Sequence, residues 1–220
     1  MITADAQFFW ANHPGGQAWC DLYRETGNLP QRDWALAAVK GFGPVTSVLE
    51  VGCHCGPLLR RLAALDGMER AIGLDINAEA IAQARATGLQ AIVGTIPGAL
   101  QRFPDRLFDV VVSSYCLAYV APQDLAFTLS ECLRIARLGL VLVEPTAGPG
   151  VDPAIYEDGQ YVEWRHEYLD ALSEAHGRLP IRPVIEVTRT RKGTRGSYEI
   201  NVTPHAGVNA VITARITWRS

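Results

Sequence analysis

Short apolar segments alternate with helical patterns through the middle of the chain, and this alternation constrains the fold more than any other feature. The apolar, β-branched runs lie at residues 47–51, 70–75, 89–94, 107–114 and 138–145. Between them, apolar side chains recur at spacings of three and four residues, which is typical of amphipathic helices. Strands that alternate with helices and are apolar on both faces form parallel sheets covered on two sides. Right-handed crossovers then predict a doubly wound α/β fold.

Local signals predict where several of these helices begin and end. Asn77 is placed to cap a helix that starts at residue 78, and Gly88 is placed to end it. Pro122 suits the first turn of the helix that follows the fourth strand. A short helix is also expected near residues 98–102.

The two ends of the chain differ from this central pattern. Residues 1–45 are rich in aromatic side chains and are predicted to form helices. A loop rich in glycine and proline is expected after Pro145, and then a helix from about Gly159 to Ala175. Polar and apolar residues alternate in three C-terminal segments, which predicts antiparallel strands at 183–191, 197–203 and 209–218.

Composition excludes several classes of protein. The chain has 220 residues and a net charge of −3, so we expect one domain with a full core and no general affinity for nucleic acid. The basic segment 188–195 is interpreted as a solvated hairpin tip. No apolar run approaches the ~20 residues that a bilayer requires, and the N-terminal residues lack the pattern of a signal peptide. The five cysteines suggest no disulfide framework, so reduced thiols in the cytoplasm are expected.

The turn after the first strand, GCHCG at residues 52–56, allows two interpretations. Its Cys-His-Cys centre could hold a metal ion, but zinc sites built from cysteine use pairs separated by two to four residues and a second pair elsewhere. The remaining cysteines offer no such spacing, so we predict a turn of small residues and no metal. In a doubly wound sheet, this turn is the expected ligand site, because small residues and a helix N-terminus bring backbone N–H groups close to a ligand. Asp75 ends the second strand, where a carboxylate can grip ribose hydroxyls.

Four segments together resemble the class I (Rossmann-like) S-adenosylmethionine-dependent methyltransferases. LEVGCHCG is similar to the family's E/D-x-G-x-G-x-G motif, and AIGLDIN resembles its second motif. PDRLFDVVVSSYCLAYV resembles the fourth motif, and ARLGLVLVEP resembles the motif of the fifth strand. The resemblance implies a mostly parallel, seven-stranded sheet in a single methyltransferase domain over residues 1–220. Within it, we expect an N-terminal helical lid (1–45), a cofactor-binding core (46–145), and a C-terminal helix with antiparallel strands (146–220).

The resemblance also implies methyl transfer from S-adenosylmethionine to a small-molecule oxygen or nitrogen acceptor by direct displacement. Such a reaction depends mainly on positioning and on the exclusion of water. Besides the small-molecule acceptor, we expect neither a membrane nor a nucleic acid as a partner, and a homodimer is left open.

Individual residues receive roles from the same resemblance. Cofactor contacts are expected from Glu50, Gly52, Cys53, His54, Asp75, Ile76, Thr95, Ile96 and Ser113. Only one of Ser113 and Ser114 can face the site, because successive strand side chains point to opposite faces. For Ile76 and Ile96, plain core packing is almost as good an interpretation.

Two residues are candidates for the chemistry itself. Tyr115 would face the acceptor, and His166 is the best titratable group for a general base. For His166 we favour the simpler interpretation, an amphipathic helix with the imidazole on its solvated face.

Two departures from the family pattern leave an alternative open. His54 occupies the position of the central glycine of the motif, and Gly94-Thr95-Ile96 stands where the family usually has Gly-Asp-Ala. Threonine is a weaker acceptor for an adenine amino group than a carboxylate. The alternative is therefore a non-catalytic or partner-dependent methyltransferase-like subunit. A nicotinamide dehydrogenase is disfavoured because the Gly-x-Gly-x-x-Gly motif is absent.

Overall fold

The computed structural model describes residues 6–12, 20–21, 30–146, 154–157, 161–180, 184–192 and 208–218. The N-terminal part contains helices α1 (Ala6–Ala11) and α2 (Pro30–Lys40), which agrees with the helices predicted there. The central elements are, in chain order, β1 (Ser47–Val51), α3 (Pro57–Ala63), β2 (Arg70–Asp75), α4 (Ala78–Ala86), β3 (Gln90–Val93), β4 (Phe108–Ser114), α5 (Pro122–Ile135) and β5 (Ala136–Thr146). The C-terminal elements are β6 (Ala154–Glu157), β7 (Tyr161–Trp164), α6 (Tyr168–Arg178), β8 (Val184–Lys192) and β9 (Val208–Thr217). Two short 3₁₀ helices lie at Leu100–Arg102 and Leu117–Tyr119.

Seven of the described strands form one sheet in the order β3-β2-β1-β4-β5-β9-β8. Strands β1 to β5 pair in parallel, and β9 runs antiparallel to both β5 and β8. The predicted doubly wound, mostly parallel sheet is therefore confirmed. The strand order reverses between β1 and β4, and ligands of such sheets bind at the carboxyl ends of the strands beside this point.

Helices cover both faces of the sheet. On one face, α5 and α6 pack their apolar side chains, among them Leu129 and Leu172, in a cluster with Val111 of β4. On the other face, α2 and α3 pack in a second cluster with Val110 and Val112. The neighbours along β4 enter opposite clusters because successive strand side chains point in opposite directions. β4 is thus buried on both faces, as its continuous apolar sequence predicts.

The predicted helix signals act as expected. The Asn77 side chain accepts a hydrogen bond from the Ala80 N–H at 2.9 Å and so caps α4. α4 ends two residues before Gly88, which adopts φ +86°. Pro122 is the first residue of α5.

The segment after β5 differs from the prediction. Residues 154–157 and 161–164 form a two-stranded antiparallel sheet, β6-β7, and α6 begins at Tyr168 rather than near Gly159. The dipeptide Asp158-Gly159 between two segments rich in apolar and aromatic residues is a hairpin signal, and it outweighs the weak helical spacing. The strand predicted at 197–203 lies outside the described residues.

Asp109 lies at the start of the central strand β4, at the opposite end of the strands from the cavity side. Its Oδ2 accepts hydrogen bonds from the Thr46 N–H at 2.7 Å and the Ser47 N–H at 3.2 Å, and Arg137 donates to Oδ1. Burial alone would raise the pKa of this carboxyl, but the hydrogen bonds from Thr46 and Arg137 outweigh it, so the pKa lies below its usual value.

None of the described helices is both long enough and apolar enough to cross a membrane.

Candidate active site

A cavity of about 320 Å³ opens at the carboxyl ends of β1, β2 and β4, beside the point where the strand order reverses. The sheet contributes its floor, and helices α1 and α2 cover one side. Its lining includes Trp10, Gln31, Arg32, Glu50, Gly52, Cys53, His54, Asp75, Ile76, Gly94, Ile96, Ser114, Tyr115, Cys116, Tyr119 and Val120. Eight residues predicted for the site are among them, and Thr95, Ser113 and His166 are not.

The turn after β1 needs glycine at its first position. Gly52 has φ +78°, and a Cβ there would lie 2.3 Å from the Cβ of Cys116. The turn is held to β2 by hydrogen bonds from the Gly52 and Cys53 N–H groups to the carbonyl of Leu74, at 2.7 and 3.1 Å. Any side chain at position 52 would therefore both strain the backbone and push apart the two loops that form the cavity.

His54 follows in the left-handed region, with φ 49°. A non-glycine residue in this conformation costs of order 1–3 kcal/mol and persists only where surrounding contacts hold it. Here the contact is with Asp75, whose Oδ2 accepts the His54 backbone N–H at 2.8 Å. The other oxygen of Asp75 accepts the Asn77 N–H at 2.9 Å. The strand-end carboxylate therefore organises the turn as well as facing the cavity.

Cys53 presents backbone rather than a reactive thiol to this site. Its side chain is buried against β2, where a Cβ added to Gly73 would lie 2.5 Å from its Sγ. Burial, with the nearby Glu50 and Asp75 carboxylates, raises the pKa of the thiol well above its usual value. This placement agrees with the interpretation of Cys53 as a small side chain that fits.

Glu50 and Arg32 form the electrostatic centre of the cavity. Both line it and both are buried, with exposed fractions of 3% and 5%. Burial raises the pKa of Glu50 well above its usual value, the positive charge of Arg32 lowers it, and the negative charge of Asp75 raises it. Among the residues that the structure describes, Glu50 Oε2 has no hydrogen-bond partner. A buried carboxylate oxygen without a donor is costly, and a cationic ligand group in the cavity would supply one.

The end of β4 corrects one sequence prediction. Ser114 lines the cavity, whereas the Ser113 hydroxyl points to the other side and donates to Glu144 Oε1 at 2.6 Å. The same oxygen accepts the N–H groups of Cys116 and Leu117, both at 3.2 Å. Glu144 thereby anchors the loop that follows β4. Ser113 supports the site from behind, and its predicted contact with the cofactor does not fit this orientation.

Aromatic side chains form the wall beyond this loop. Tyr115 has φ 56°, and its hydroxyl lies 3.5 Å from Gln31 Nε2. Tyr119 packs against Trp10 of α1 with ring centroids 5.0 Å apart, and the Trp10 carbonyl accepts a hydrogen bond from the Asn77 side chain at 2.9 Å. The N-terminal helices are thus fastened over the cavity.

His166 does not reach the cavity. It is buried, with an exposed fraction of 6%, and its Nε2 lies 3.2 Å from the carbonyl oxygen of Leu117 and 3.0 Å from that of Val120. Because both neighbours are acceptors, Nε2 carries the proton and donates it. Burial lowers the pKa of this imidazole, against the two carbonyls that raise it. Neither a general base nor a solvated helix face fits this placement; His166 braces the turn that carries Tyr119.

The end of β3 offers no carboxylate to the cavity. Gly94 and Ile96 line it, whereas Thr95 is exposed and lies outside it. The predicted adenine contact of the Thr95 hydroxyl therefore does not fit the structure, while Ile96 and Ile76 are placed as apolar walls.

The sequence patterns did not identify the individual residues of α1 and α2 that line the cavity. Gln31 and Arg32 stand with Asp33 in a run of three polar residues at the start of α2, and nothing in the sequence shows which of the three face the cavity. Trp10 was expected only as part of an aromatic lid. Polar residues on the buried side of a helix would have been the one available signal.

The comparison with known families fits this geometry. Residues 48–139 match the family described as "Methyltransferase domain". The match runs from β1 to the start of β5 and includes the turn after β1, Asp75 and the loop after β4. This segment is therefore similar to a methyltransferase domain.

A curated relative and two solved structures extend the comparison. The probable methyltransferase ltbC of Aspergillus luteorubrus is 28% identical over 107 residues, which is 43% of this chain and 38% of that protein; the chain thus spans well under half the length of this relative. Geranyl diphosphate C-methyltransferase from Streptomyces coelicolor A3(2), solved with Mg²⁺, geranyl diphosphate and S-adenosyl-L-homocysteine, superposes with a TM-score of 0.66 at 15% identity, over 86% of this chain and 79% of that chain. A Haloferax volcanii methyltransferase in complex with the Trm112 methyltransferase activator gives 0.57 at 19% identity, over 93% and 96%.

At these identities the two structures show a shared fold. Together with the matched domain, they agree with S-adenosylmethionine as the cofactor that the motifs imply.

Proposed function

We propose that this chain transfers the methyl group of S-adenosylmethionine to an oxygen or nitrogen atom of a small molecule. The observation that carries the proposal is the composition of the cavity. A glycine turn and two carboxylates, Glu50 and Asp75, lie on one side, and an aromatic wall covered by the N-terminal helices lies on the other.

The residues of the first side fit the cofactor. Glu50 Oε2 is buried without a partner among the described residues and would accept the ammonium of the methionine part. Asp75 has spare lone pairs beyond the two backbone N–H groups that it accepts, because each carboxylate oxygen has two acceptor sites; it would accept the ribose hydroxyls. Ile76 and Ile96 would cover the adenine. The positive charge of Arg32 favours the ionised form of Glu50, against the burial that raises its pKa, and it would attract the methionine carboxylate.

The opposite side favours a small acceptor with an apolar body. Trp10, Tyr115, Tyr119 and Val120 give it a largely apolar surface, and aromatic rings pack well against flat or hydrophobic groups. The volume of the whole cavity, about 320 Å³, is at the lower end of the range for small-molecule sites. Because the cofactor would share this space, the acceptor would be small. Because α1 and α2 cover the cavity, a folded protein or a nucleic acid duplex would not reach its floor.

The reaction asks little of the protein beyond positioning. S-adenosylmethionine supplies a methyl group already activated by the positive charge on sulfur. The chain's residues would hold the acceptor in line, and the cover would exclude water. An amine acceptor needs no base. The Tyr115 hydroxyl accepts a hydrogen bond from Gln31 at 3.5 Å and would position a polar group of the acceptor.

Binding of S-adenosylhomocysteine, measured by isothermal titration calorimetry, tests the cofactor half of the proposal. Saturable binding at one site per chain is expected, and it should weaken in Asp75→Ala but not in Asp109→Asn, which removes a carboxylate at the amino end of the central strand β4. A panel of phenols and amines with methyl-labelled cofactor then tests the acceptor half. Failure of the isolated chain to bind S-adenosylhomocysteine would contradict the proposal.

A partner-dependent methyltransferase-like subunit is the second candidate. It is supported by the exposed Thr95, which leaves the adenine edge without a carboxylate, and by the Haloferax volcanii structure, in which a methyltransferase of the same fold is bound to an activator. Under this alternative, the isolated chain would bind the cofactor weakly or not at all. Affinity would appear only after a second protein is added.

A further inference from the structure

The structure brings a third potential metal ligand to the Cys-His-Cys turn. One ligand atom from each of Cys20, His54 and Cys55 lies within 4.8 Å of the other two, and no other such group of three occurs among the described residues. The prediction of no metal site rested on the absence of suitable spacing in the sequence. Folding supplies Cys20 from 34 residues upstream of His54, so the spacing argument does not apply.

The separations suit a zinc ion. Zinc binds sulfur at ~2.3 Å and imidazole nitrogen at ~2.0–2.1 Å in a tetrahedral arrangement, so ligand atoms around it lie about 3.5–3.8 Å apart. Atoms within 4.8 Å of one another need to close by about 1 Å or less, which side-chain rotation can supply. Cys53 is not part of the group, since its Sγ is turned towards Gly73 on the opposite side of the turn.

We propose that Cys20, His54 and Cys55 bind one Zn²⁺ ion. Two thiolates and a neutral imidazole would cancel the 2+ charge, which suits a site where Cys20 and Cys55 are buried. Thiolate and imidazole donors select zinc over Mg²⁺ or Ca²⁺, which prefer oxygen. Three protein ligands leave the fourth position of a tetrahedron for water or an added donor.

Such a site would couple the cover of the cavity to its floor. Cys20 lies in the chain between α1 and α2, both of which line the cavity, while His54 lies in the cofactor turn and is held by Asp75. A zinc ion would therefore fix the N-terminal segment against the turn before a ligand binds. Ordering the turn in advance would raise its affinity for the cofactor. Because such coupling is reciprocal, a cofactor that binds the ordered turn would also raise the affinity for zinc.

Metal analysis of the 220-residue chain, purified with reductant and without a metal-affinity tag, tests the site directly. One zinc per chain is expected by mass spectrometry of the metal. After a chelator has removed the zinc, added Co²⁺ should produce near-ultraviolet absorption from thiolate-to-metal charge transfer. It should also produce the visible bands of tetrahedral cobalt. Zinc added to the metal-free chain should raise its melting temperature, because the ion binds the native state.

Variants of single cysteines locate the ligands. Loss of a residue that only supports a metal ligand typically lowers metal affinity roughly 10–100-fold. Cys20→Ser and Cys55→Ser each remove a ligand itself, so zinc affinity should fall by more than this. Cys53→Ala is the matched control, since it removes a thiol from the same turn and should keep the full zinc content. Circular dichroism establishes that each variant is folded.

Three results would overturn the proposal: wild-type chain without zinc or a cobalt spectrum, zinc retained in both serine variants, or zinc lost equally in Cys53→Ala. A Cys20–Cys55 disulfide in place of the metal, seen as a mass two hydrogens lower under reducing purification, would overturn it as well. None of these measurements depends on methyl transfer, so they test the zinc site independently of the proposed activity.

Discussion

Replacing Glu144 with glutamine should remove a pH-dependent loss of stability that the wild-type chain carries. Glu144 lies at the end of β5, fully buried, and Oε1 accepts three hydrogen bonds from the β4 side. Among the described residues, Oε2 has no hydrogen-bond partner. Burial therefore raises the pKa of Glu144 from 4.5 to about 7, although the hydrogen bonds from Ser113 and from the Cys116 and Leu117 N–H groups oppose the increase.

The sign of the effect follows from proton binding. Between pH 4.5 and about 7, the folded chain keeps a proton on Glu144 that the unfolded chain has lost, so the free energy of unfolding falls as pH rises through this window. The difference of about 2.5 pH units, at about 1.4 kcal/mol per unit, corresponds to about 3 kcal/mol. The penalty is absent below about pH 4.5 and complete above about pH 7.

Glutamine keeps the shape of the side chain and an oxygen that can accept from Ser113 and the loop, but it does not titrate. Urea unfolding followed by tryptophan fluorescence, from pH 4.5 to 8, should show Glu144→Gln gaining up to about 3 kcal/mol relative to wild type across the range. Glu69→Gln, at an exposed position, controls for the loss of one carboxylate. Wild-type and Glu144→Gln curves that stay parallel from pH 4.5 to 8 would refute the assignment of a raised pKa to this group.

Substitutions at three further residues separate binding from stability. Asp75→Ala removes the proposed ribose partner and the acceptor of the His54 N–H, so S-adenosylhomocysteine affinity should fall by roughly ten- to hundredfold and stability by about 1–3 kcal/mol; unchanged affinity in calorimetry would count against the whole site. Arg32→Ala removes the positive charge that lowers the pKa of Glu50, so affinity at pH 7 should fall about tenfold or more, because the protonated form of Glu50 is then favoured over the carboxylate. Arg32→Lys keeps a positive charge and should lose less affinity, and an equal loss in both variants would exclude this mechanism. Asp109→Asn should cost about 1–3 kcal/mol at pH 7 and leave affinity unchanged; because hydrogen bonds hold the pKa of Asp109 low, the difference from wild type should shrink as pH falls through that pKa, and a constant difference in urea unfolding would contradict it.

Features that depend on neighbours in the chain could be predicted from the sequence. The order of strands and helices follows from apolar periodicity, which each segment carries by itself. The cap at Asn77, the first turn of α5 at Pro122 and the turn at Gly52 follow from backbone preferences of single residues. Asp75 could be placed because strand ends in a parallel sheet meet at one edge. The segment 154–164 was misjudged because a short run can satisfy helical and strand spacing together, and pairing between β6 and β7 decides between them.

The sequence by itself therefore determined the doubly wound sheet, the turn after β1 and the carboxylate beside it. Only the tertiary structure decided that Arg32 faces Glu50, that Ser114 rather than Ser113 faces the cavity, that His166 braces a turn and that Cys20 meets the Cys-His-Cys turn. Each of these contacts joins residues from elements distant in the chain. Spacing within one helix or strand shows which side chains share a face, but the packing of whole elements against one another decides what that face meets.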